Sequence, residues 1–211
     1  MGTDIERASL GQTGTSPLAN ETPPTLDRRL AIGGAEVGLC LTRLHHDRFT
    51  EAVSSVDPVV ARLAARGFDH EARIVEAVIT DHVGIVVHIE RSNPDPYAAT
   101  TNAMEEAVDV IIGGRIVSLD GSLVGAPDVL VKLDDGYAAV EIKGHFVRGD
   151  KGPDASVSAL TNLSLMEEAA VQFRSHRKRD LFQVAHYWRI LDSMGAATSK
   201  PIGGVIGSDP A

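Results

Sequence analysis

Two carboxylates and a lysine lie close together in the stretch GAPDVLVKLDDGYAAVEIKG, residues 125–144. Asp128 is followed by Glu141 and Lys143, which are two positions apart and therefore share one face of a strand. Two neighbouring carboxylates repel unless a cation lies between them, and oxygen ligands of this kind suit Mg²⁺ or Mn²⁺. A lysine beside such a cation can orient water or stabilise charge on a phosphate. The chemistry predicted is metal-assisted phosphate-ester hydrolysis.

A β-hairpin must position these side chains. The dipeptide Asp135-Gly136 is typical of a two-residue type I′ turn, which would pair Val129 with Ile142 and Asp128 with Lys143. One face is then apolar and the other carries the charged groups, and a slip of one residue would break this separation. The alternative interpretation is a solvated hairpin face with an ordinary Asp–Lys pair of little energetic weight.

A second candidate element is a helix within residues 54–80. Asp57 is a suitable N-cap and Pro58 fits the first helical turn. Glu71 falls on the apolar stripe of this helix, where a carboxylate needs a partner, and His70 borders the same face. His70 could ligate a metal or hydrogen-bond a phosphate. The alternative is a glutamate at the edge of the stripe and a surface histidine.

Residues 165–195 predict further helix, in one or two pieces, ending at Gly195. Gln183 and Tyr187 are four positions apart on one face and could hold a substrate backbone. The basic run at 174–179 offers candidate phosphate contacts. A solvated charged face is the alternative. The candidates in this run are Arg177, Lys178 and Arg179.

The other patterns predict shorter elements. Strands are expected over 83–90, over 108–118 with a bend at Gly113-Gly114, and within 201–209, and a helix is expected over 99–107. Residues 145–161 are interpreted as a polar, irregular excursion. The order of these elements favours an α/β domain built around a mixed sheet.

Taken together, these segments resemble the PD-(D/E)XK nuclease superfamily, and most closely its RecB-like branch, which includes RecB-type exonuclease domains and related CRISPR-associated nucleases. The resemblance spans about Cys40 to Gly207. Its matching segments are Pro127-Asp128, Glu141-Ile142-Lys143, residues 67–71 and residues 183–187.

The resemblance implies a restriction-endonuclease-like core, with a central mixed β-sheet of about four strands flanked by helices, and Mg²⁺- or Mn²⁺-dependent hydrolysis of DNA phosphodiester bonds. By this likeness Asp128 and Glu141 bind the metal, Lys143 positions or activates water, and His70 or Glu71 completes the metal site. The equivalent of residues 183–187 lines the DNA path and helps to place the catalytic lysine.

The function expected from this likeness is an exonuclease or single-strand-preferring nuclease in DNA repair, recombination or mobile-element defence. The alternative is a catalytically silent DNA- or protein-binding module of a repair or recombination complex. A small-molecule phosphoesterase would use the same ligands, but the basic run disfavours it. Larger relatives continue into further modules, so possible partners besides DNA are a helicase or another nuclease module.

The single cysteine, Cys40, opens a segment that resembles the first motif of the RecB-like branch. Some relatives use that cysteine with three others to hold an iron-sulfur cluster. Because the other three are absent from this sequence, we expect no cluster and interpret Cys40 as a small buried residue.

Composition sets the remaining expectations. The formal net charge of −9 argues against a broad coat of nucleic acid but permits a local basic track. No apolar run approaches the ~20 residues needed to cross a bilayer, so we expect a cytoplasmic protein without membrane association. Residues 1–29, rich in Gly, Ser, Thr and Pro, are expected to form a disordered tail, and residues 30–211 a single nuclease domain, complete in itself or part of a longer protein.

Overall fold

The computed structural model of the protein describes residues 31–50 and 57–209, and the predicted tail, residues 1–29, lies outside them. The helices are α1 (Leu41–Phe49), α2 (Pro58–Asp81), α3 (Pro96–Glu105) and α4 (Lys178–Ser193), with a short 3-10 helix at Gly34–Glu36. The first five strands are β1 (Ile32–Gly33), β2 (Val86–His88), β3 (Val110–Ile112), β4 (Ile116–Val117) and β5 (Leu123–Gly125). The others are β6 (Val129–Leu133), β7 (Gly136–Ile142), β8 (Arg148–Ala159), β9 (Asn162–Phe173) and β10 (Gly203–Ile206).

The central sheet is mixed and has the strand order β10-β7-β6-β3-β2. Strand β6 is antiparallel to β7 and β3, whereas β10 runs parallel to β7 and β2 runs parallel to β3. This confirms the predicted α/β class, and the sheet has five strands where about four were expected. Two smaller sheets, β1-β5-β4 and β8-β9, complete the described part of the chain.

Hydrophobic residues cover both faces of the central sheet. One cluster, beneath α3 and α4, consists of Ile89, Ala103, Met104, Val108, Ile111, Ile116, Leu130, Tyr137, Ala139, Tyr187, Ile190 and Leu191. The opposite cluster, beneath α2 and the β8–β9 hairpin, consists of Val78, Val110, Ile112, Val129, Val131, Val140, Ile142 and Leu163. Because strands β6 and β7 contribute to both clusters, the solvated-hairpin alternative is wrong.

The register of the β6–β7 hairpin differs from the prediction by two residues. Leu133 pairs with Gly136, so the turn is Asp134-Asp135. Gly136 is required at the start of β7 because a Cβ there would lie 2.3 Å from the Ala197 carbonyl oxygen. A shift of two residues leaves every side chain on its predicted face, and it places Asp128 across from Glu141 instead of Lys143.

The largest correction concerns residues 145–173. The predicted polar excursion and the first part of the predicted late helix form the long antiparallel strands β8 and β9. Leu163 enters the core beneath α2, and its backbone N–H lies 3.3 Å from His82 Nε2 at the end of that helix. Cross-strand pairing and this anchorage outweigh the helical spacing of the alanines and glutamates in the sequence.

The other predicted elements form with shifted ends. The Asp57 carboxylate caps α2 by accepting from the Val59 backbone N–H at 2.7 Å. The predicted strand over 108–118 is interrupted at Gly113-Gly114, so that β3 and β4 belong to different sheets. The late helix α4 begins only at Lys178, and Gly195 follows its end with a positive φ of 69°. None of the described helices combines the length and apolar character needed to span a membrane.

Candidate active site

The charged residues of the β6–β7 hairpin meet at one end of the central sheet. Glu141, near the end of β7, is only 3% exposed. Its Oε2 accepts a hydrogen bond of 2.7 Å from Lys143 Nζ. The backbone N–H of Lys143 donates to the Ile206 carbonyl of β10 at 2.8 Å, which fixes the end of β7 between two neighbouring strands.

Asp128 lies immediately before β6 and faces the same site. Its Oδ2 accepts from the Ile142 backbone N–H at 2.7 Å. Burial, followed by the negative charge of Glu141, raises the pKa of Asp128 to about 7, and the Glu71 carboxylate adds to this effect. The Glu141 charge therefore disfavours the charged form of Asp128, as expected for acidic groups that share a site.

The Glu141 carboxylate is only partly compensated. Burial raises its pKa, while Lys143 opposes the shift. Its Oε1 is buried and has no hydrogen-bond partner in the described part of the chain. The Tyr187 hydroxyl is close enough to favour the charged form of Glu141, yet it makes no well-formed hydrogen bond with Oε1. A buried, unpaired carboxylate oxygen is costly, so this atom is a candidate ligand position.

Helix α4 holds the lysine through a short relay. Gln183 Oε1 accepts from Lys143 Nζ at 2.9 Å, and Gln183 Nε2 donates to the Tyr187 hydroxyl at 2.8 Å. Tyr187 is 2% exposed, and its ring packs so closely on Gly34 and Gly125 that a Cβ at either position would clash with it. Burial and the Glu141 charge raise the pKa of Tyr187, which keeps the phenol protonated.

An acidic residue that sequence analysis missed lies on the same face of α4. Asp180 is buried, and its Oδ2 lies 2.8 Å from His145 Nε2. Its charge contributes to the raised pKa of Glu141. The spacing of Asp180 in the sequence could have identified it, because it precedes Gln183 by about one helical turn and Tyr187 by about two. His145, two residues after Lys143, could not be paired with Asp180 before the fold was known.

Helix α2 brings Glu71, and not His70, to the carboxylate pair. Glu71 and Asp128 line one cavity of about 120 Å³. Glu71 also lies 3.9 Å from the exposed Arg91 side chain. His70 is absent from the lining of that cavity, and its buried Nε2 has no hydrogen-bond partner among the described residues. Of the two α2 candidates, Glu71 is therefore the one placed beside Asp128.

Within the described residues, no ion pair joins the basic run, Arg177 to Arg179, to Asp128 or Glu141. Arg177 is the N-cap residue of α4, and its buried Nε has no hydrogen-bond partner within the described chain. Lys178 and Arg179 are exposed on the first turn of the helix. Cys40 is also exposed and caps α1 through its Sγ, so the prediction that it is buried is wrong.

The side chains of this site offer few donors to a divalent cation. Among the described side chains, no group of three or more His, Cys, Asp and Glu residues is close enough to surround one ion. Mg²⁺ is commonly held by one or two carboxylates together with water and substrate phosphates, so two carboxylates suffice. The unpaired Oε1 of Glu141 and the raised pKa of Asp128 fit such an ion, which would compensate both.

Comparisons with protein-family models, with curated protein sequences and with solved structures found no match for this chain.

Proposed function

We propose that the protein is a divalent-metal-dependent nuclease that hydrolyses DNA phosphodiester bonds, with a restriction-endonuclease-like core of the RecB-like type. The observation that carries this proposal is the buried Glu141 carboxylate, whose Oε1 has no hydrogen-bond partner among the described residues, next to the carboxyl of Asp128. Asp128 is half-buried beside the buried Glu141, and Lys143 Nζ donates a hydrogen bond to Glu141 Oε2. A purely structural ion pair would leave no buried carboxylate oxygen without a partner, whereas an unpaired oxygen beside a second carboxylate suits a metal ion.

Asp128 and Glu141 would hold Mg²⁺ or Mn²⁺, with Glu71 next to them. The ion would supply Lewis-acid polarisation of the scissile phosphate and activation of water. The Lys143 ammonium group lies against the Glu141 carboxylate. There it would orient the attacking water and stabilise the negative charge that develops on the phosphate. Gln183 fixes the direction of the lysine, and Tyr187 fixes the amide of Gln183.

Cleavage of end-labelled DNA tests this proposal. Linear single-stranded and double-stranded DNA and closed circles are incubated with Mg²⁺, Mn²⁺ or a chelator. The proteins are the wild type, Glu141→Gln, and the control Asp134→Asn, which removes one charge from the exposed turn of the same hairpin. We expect metal-dependent loss of linear DNA with wild type and control and no loss with Glu141→Gln.

The other outcomes separate the alternatives. Degradation of linear DNA with intact circles would establish a need for ends. Equal inactivity of all three proteins, with DNA binding retained, would refute the nuclease and favour the binding module. Hydrolysis of a small aryl phosphate ester without DNA cleavage would point to a phosphoesterase.

A further inference from the structure

A histidine–aspartate pair adjoins the candidate active site and takes no part in the metal ligation proposed above. His145 lies two residues after Lys143, and its Nε2 is 2.8 Å from Oδ2 of Asp180 on α4. Asp180 is only 8% exposed, and its side chain makes no other hydrogen bond to the described residues. A buried carboxylate needs a partner, and this contact fixes the orientation of the imidazole ring.

Helix α4 places this pair beside Lys143. The lysine contacts α4 at Gln183, and His145 contacts the same helix at Asp180, three residues earlier. At about 1.5 Å per residue, the two contacts are ~4.5 Å apart along the helix axis. The charge of Asp180 also reaches Glu141, whose pKa it helps to raise. The imidazole therefore meets α4 about one helical turn from the lysine, at the same end of the central sheet.

The loop that carries His145 is held by hydrogen bonds that do not involve the imidazole. The His145 carbonyl accepts from the Ser208 backbone N–H at 3.0 Å, and the Val147 backbone N–H donates to the Asp209 carboxylate at 2.8 Å. The imidazole itself is 29% exposed, and its Nδ1 makes no hydrogen bond to the described residues. One ring nitrogen thus faces a buried carboxylate, while the other is open to a substrate.

Phosphodiester hydrolysis requires a proton on the oxygen that leaves. In an in-line displacement the attacking and leaving oxygens lie on opposite sides of the phosphorus, so the two oxygens need separate protein groups. Lys143 is hydrogen-bonded to Glu141 and Gln183, on the side proposed for the attacking water. A positioned histidine is the side chain that most often transfers protons in enzymes.

We propose that His145 donates the proton that the leaving oxygen takes up, and that Asp180 is the residue that positions it. The water oxygen forms a bond to phosphorus and releases one proton to solvent, while the bond from phosphorus to the leaving oxygen breaks. The leaving oxygen keeps that electron pair and accepts the proton from Nδ1 of the imidazolium. The neutral imidazole then regains a proton from solvent. This inference rests on the proposed nuclease function, to which it adds a catalytic acid.

Two DNA probes that differ in one atom test the proposal. In the second probe, sulfur replaces the bridging oxygen that leaves, which the ends of the wild-type products identify. A thiolate is a weak base and leaves without a proton, so the sulfur probe does not need the acid. Cleavage of both probes is followed in single turnovers with the full-length protein and Mn²⁺.

His145→Gln should cleave the oxygen probe about 100-fold more slowly than wild type, and the sulfur probe within about threefold of wild type. Asp180→Asn should show the same selectivity with a smaller effect, because it acts only through the orientation of the imidazole. The control His176→Gln, which removes an exposed histidine shortly before α4, should change neither rate.

Equal slowing of both probes by His145→Gln would overturn the inference, because the loss of a structural contact affects both probes alike. An unchanged rate with the oxygen probe would overturn it too. Either result, together with metal-dependent cleavage by wild type, would be a failure of this inference alone. Failure of the proposed function would instead appear as no cleavage of either probe by wild type in any metal, and the role of His145 would fall with it.

Discussion

Neutralising Asp128 should stabilise the metal-free protein while it removes activity. In Asp128→Asn the amide oxygen can still accept the Ile142 N–H, so the local geometry of the wild type is retained. The substitution removes one of two negative charges that face each other in a buried site. A residue selected for stability alone would not show this trade-off, whereas a metal ligand should.

The magnitude follows from the pKa of Asp128, which the fold raises to about 7. An ionised carboxylate with a raised folded-state pKa opposes folding. The cost is absent below the unfolded-state pKa near 4 and complete above the folded-state pKa near 7. A shift of about three pKa units corresponds to an upper limit of ~4 kcal/mol at about pH 8. At about pH 5, between the two values, the cost is roughly 1.5 kcal/mol.

Urea unfolding in a chelator at about pH 5 and about pH 8 measures the effect. The advantage of Asp128→Asn over wild type should grow by roughly 2 kcal/mol between these pH values, as the linkage requires. Asp134→Asn, with the same charge change at the exposed turn, should show no such growth. Mg²⁺ at about ten times its dissociation constant should stabilise wild type by ~1.4 kcal/mol and leave Asp128→Asn unchanged. A pH-independent difference between Asp128→Asn and wild type would refute the raised pKa of Asp128, and with it the burial of this carboxyl beside Glu141.

Three further perturbations test the surrounding structure. Lys143→Met should lower the free energy of unfolding by about 3 kcal/mol near pH 8, because it leaves Glu141 buried without its cation, and the double variant Lys143→Met/Glu141→Gln should recover most of the loss in urea unfolding. Gly136→Ala should destabilise by about 1–3 kcal/mol through the clash with Ala197, and a Gly136→Ala protein that melts no lower than wild type would contradict the register of the hairpin. The control Gly67→Ala, whose new Cβ meets no atom within 4 Å, should stabilise α2 by about 0.5–1 kcal/mol. Tyr137→Phe should lower the free energy of unfolding by about 1 kcal/mol, because the buried Tyr137 hydroxyl donates to the Val108 carbonyl at 2.8 Å. An unchanged free energy of unfolding would show that this hydrogen bond is not formed in the buried core.

The sequence predicted the faces of the hairpin better than its register. The alternation of β6 and β7 separates apolar from charged positions, and a slip of two residues preserves that separation, so the grouping of Asp128, Glu141 and Lys143 did not depend on the turn. The position of the turn was mispredicted because Gly136 was assigned to the turn. A glycine is required there because the Ala197 backbone approaches too closely for a Cβ. That contact joins residues far apart in the chain, and local turn preferences do not report it.

The elements around the site also differ in how well the sequence predicted them. Helix α2 was predictable because a cap, a proline and a long apolar stripe all agreed, and Glu71 stood out against that stripe. The β8–β9 hairpin was not, because its alanines and glutamates also suit a helix and its pairing is irregular, with several register shifts. Asp180 was missed for a related reason: its partner, His145, comes from a loop whose position only the fold determines.

Unsatisfied buried polar atoms distinguish a candidate ligand site from a structural ion pair. Glu141 and Lys143 alone would form a neutral, hydrogen-bonded pair, and such pairs are found where a fold needs specificity. Asp128 lies on the same side, where burial, followed by the negative charge of Glu141, raises its pKa to about 7. Glu141 Oε1 is buried without a hydrogen-bond partner among the described residues. Packing does not require either feature, because an apolar residue at either position would fill the space without this cost. In the proposed function a divalent cation would offset both carboxylates, and Lys143 would face the phosphate.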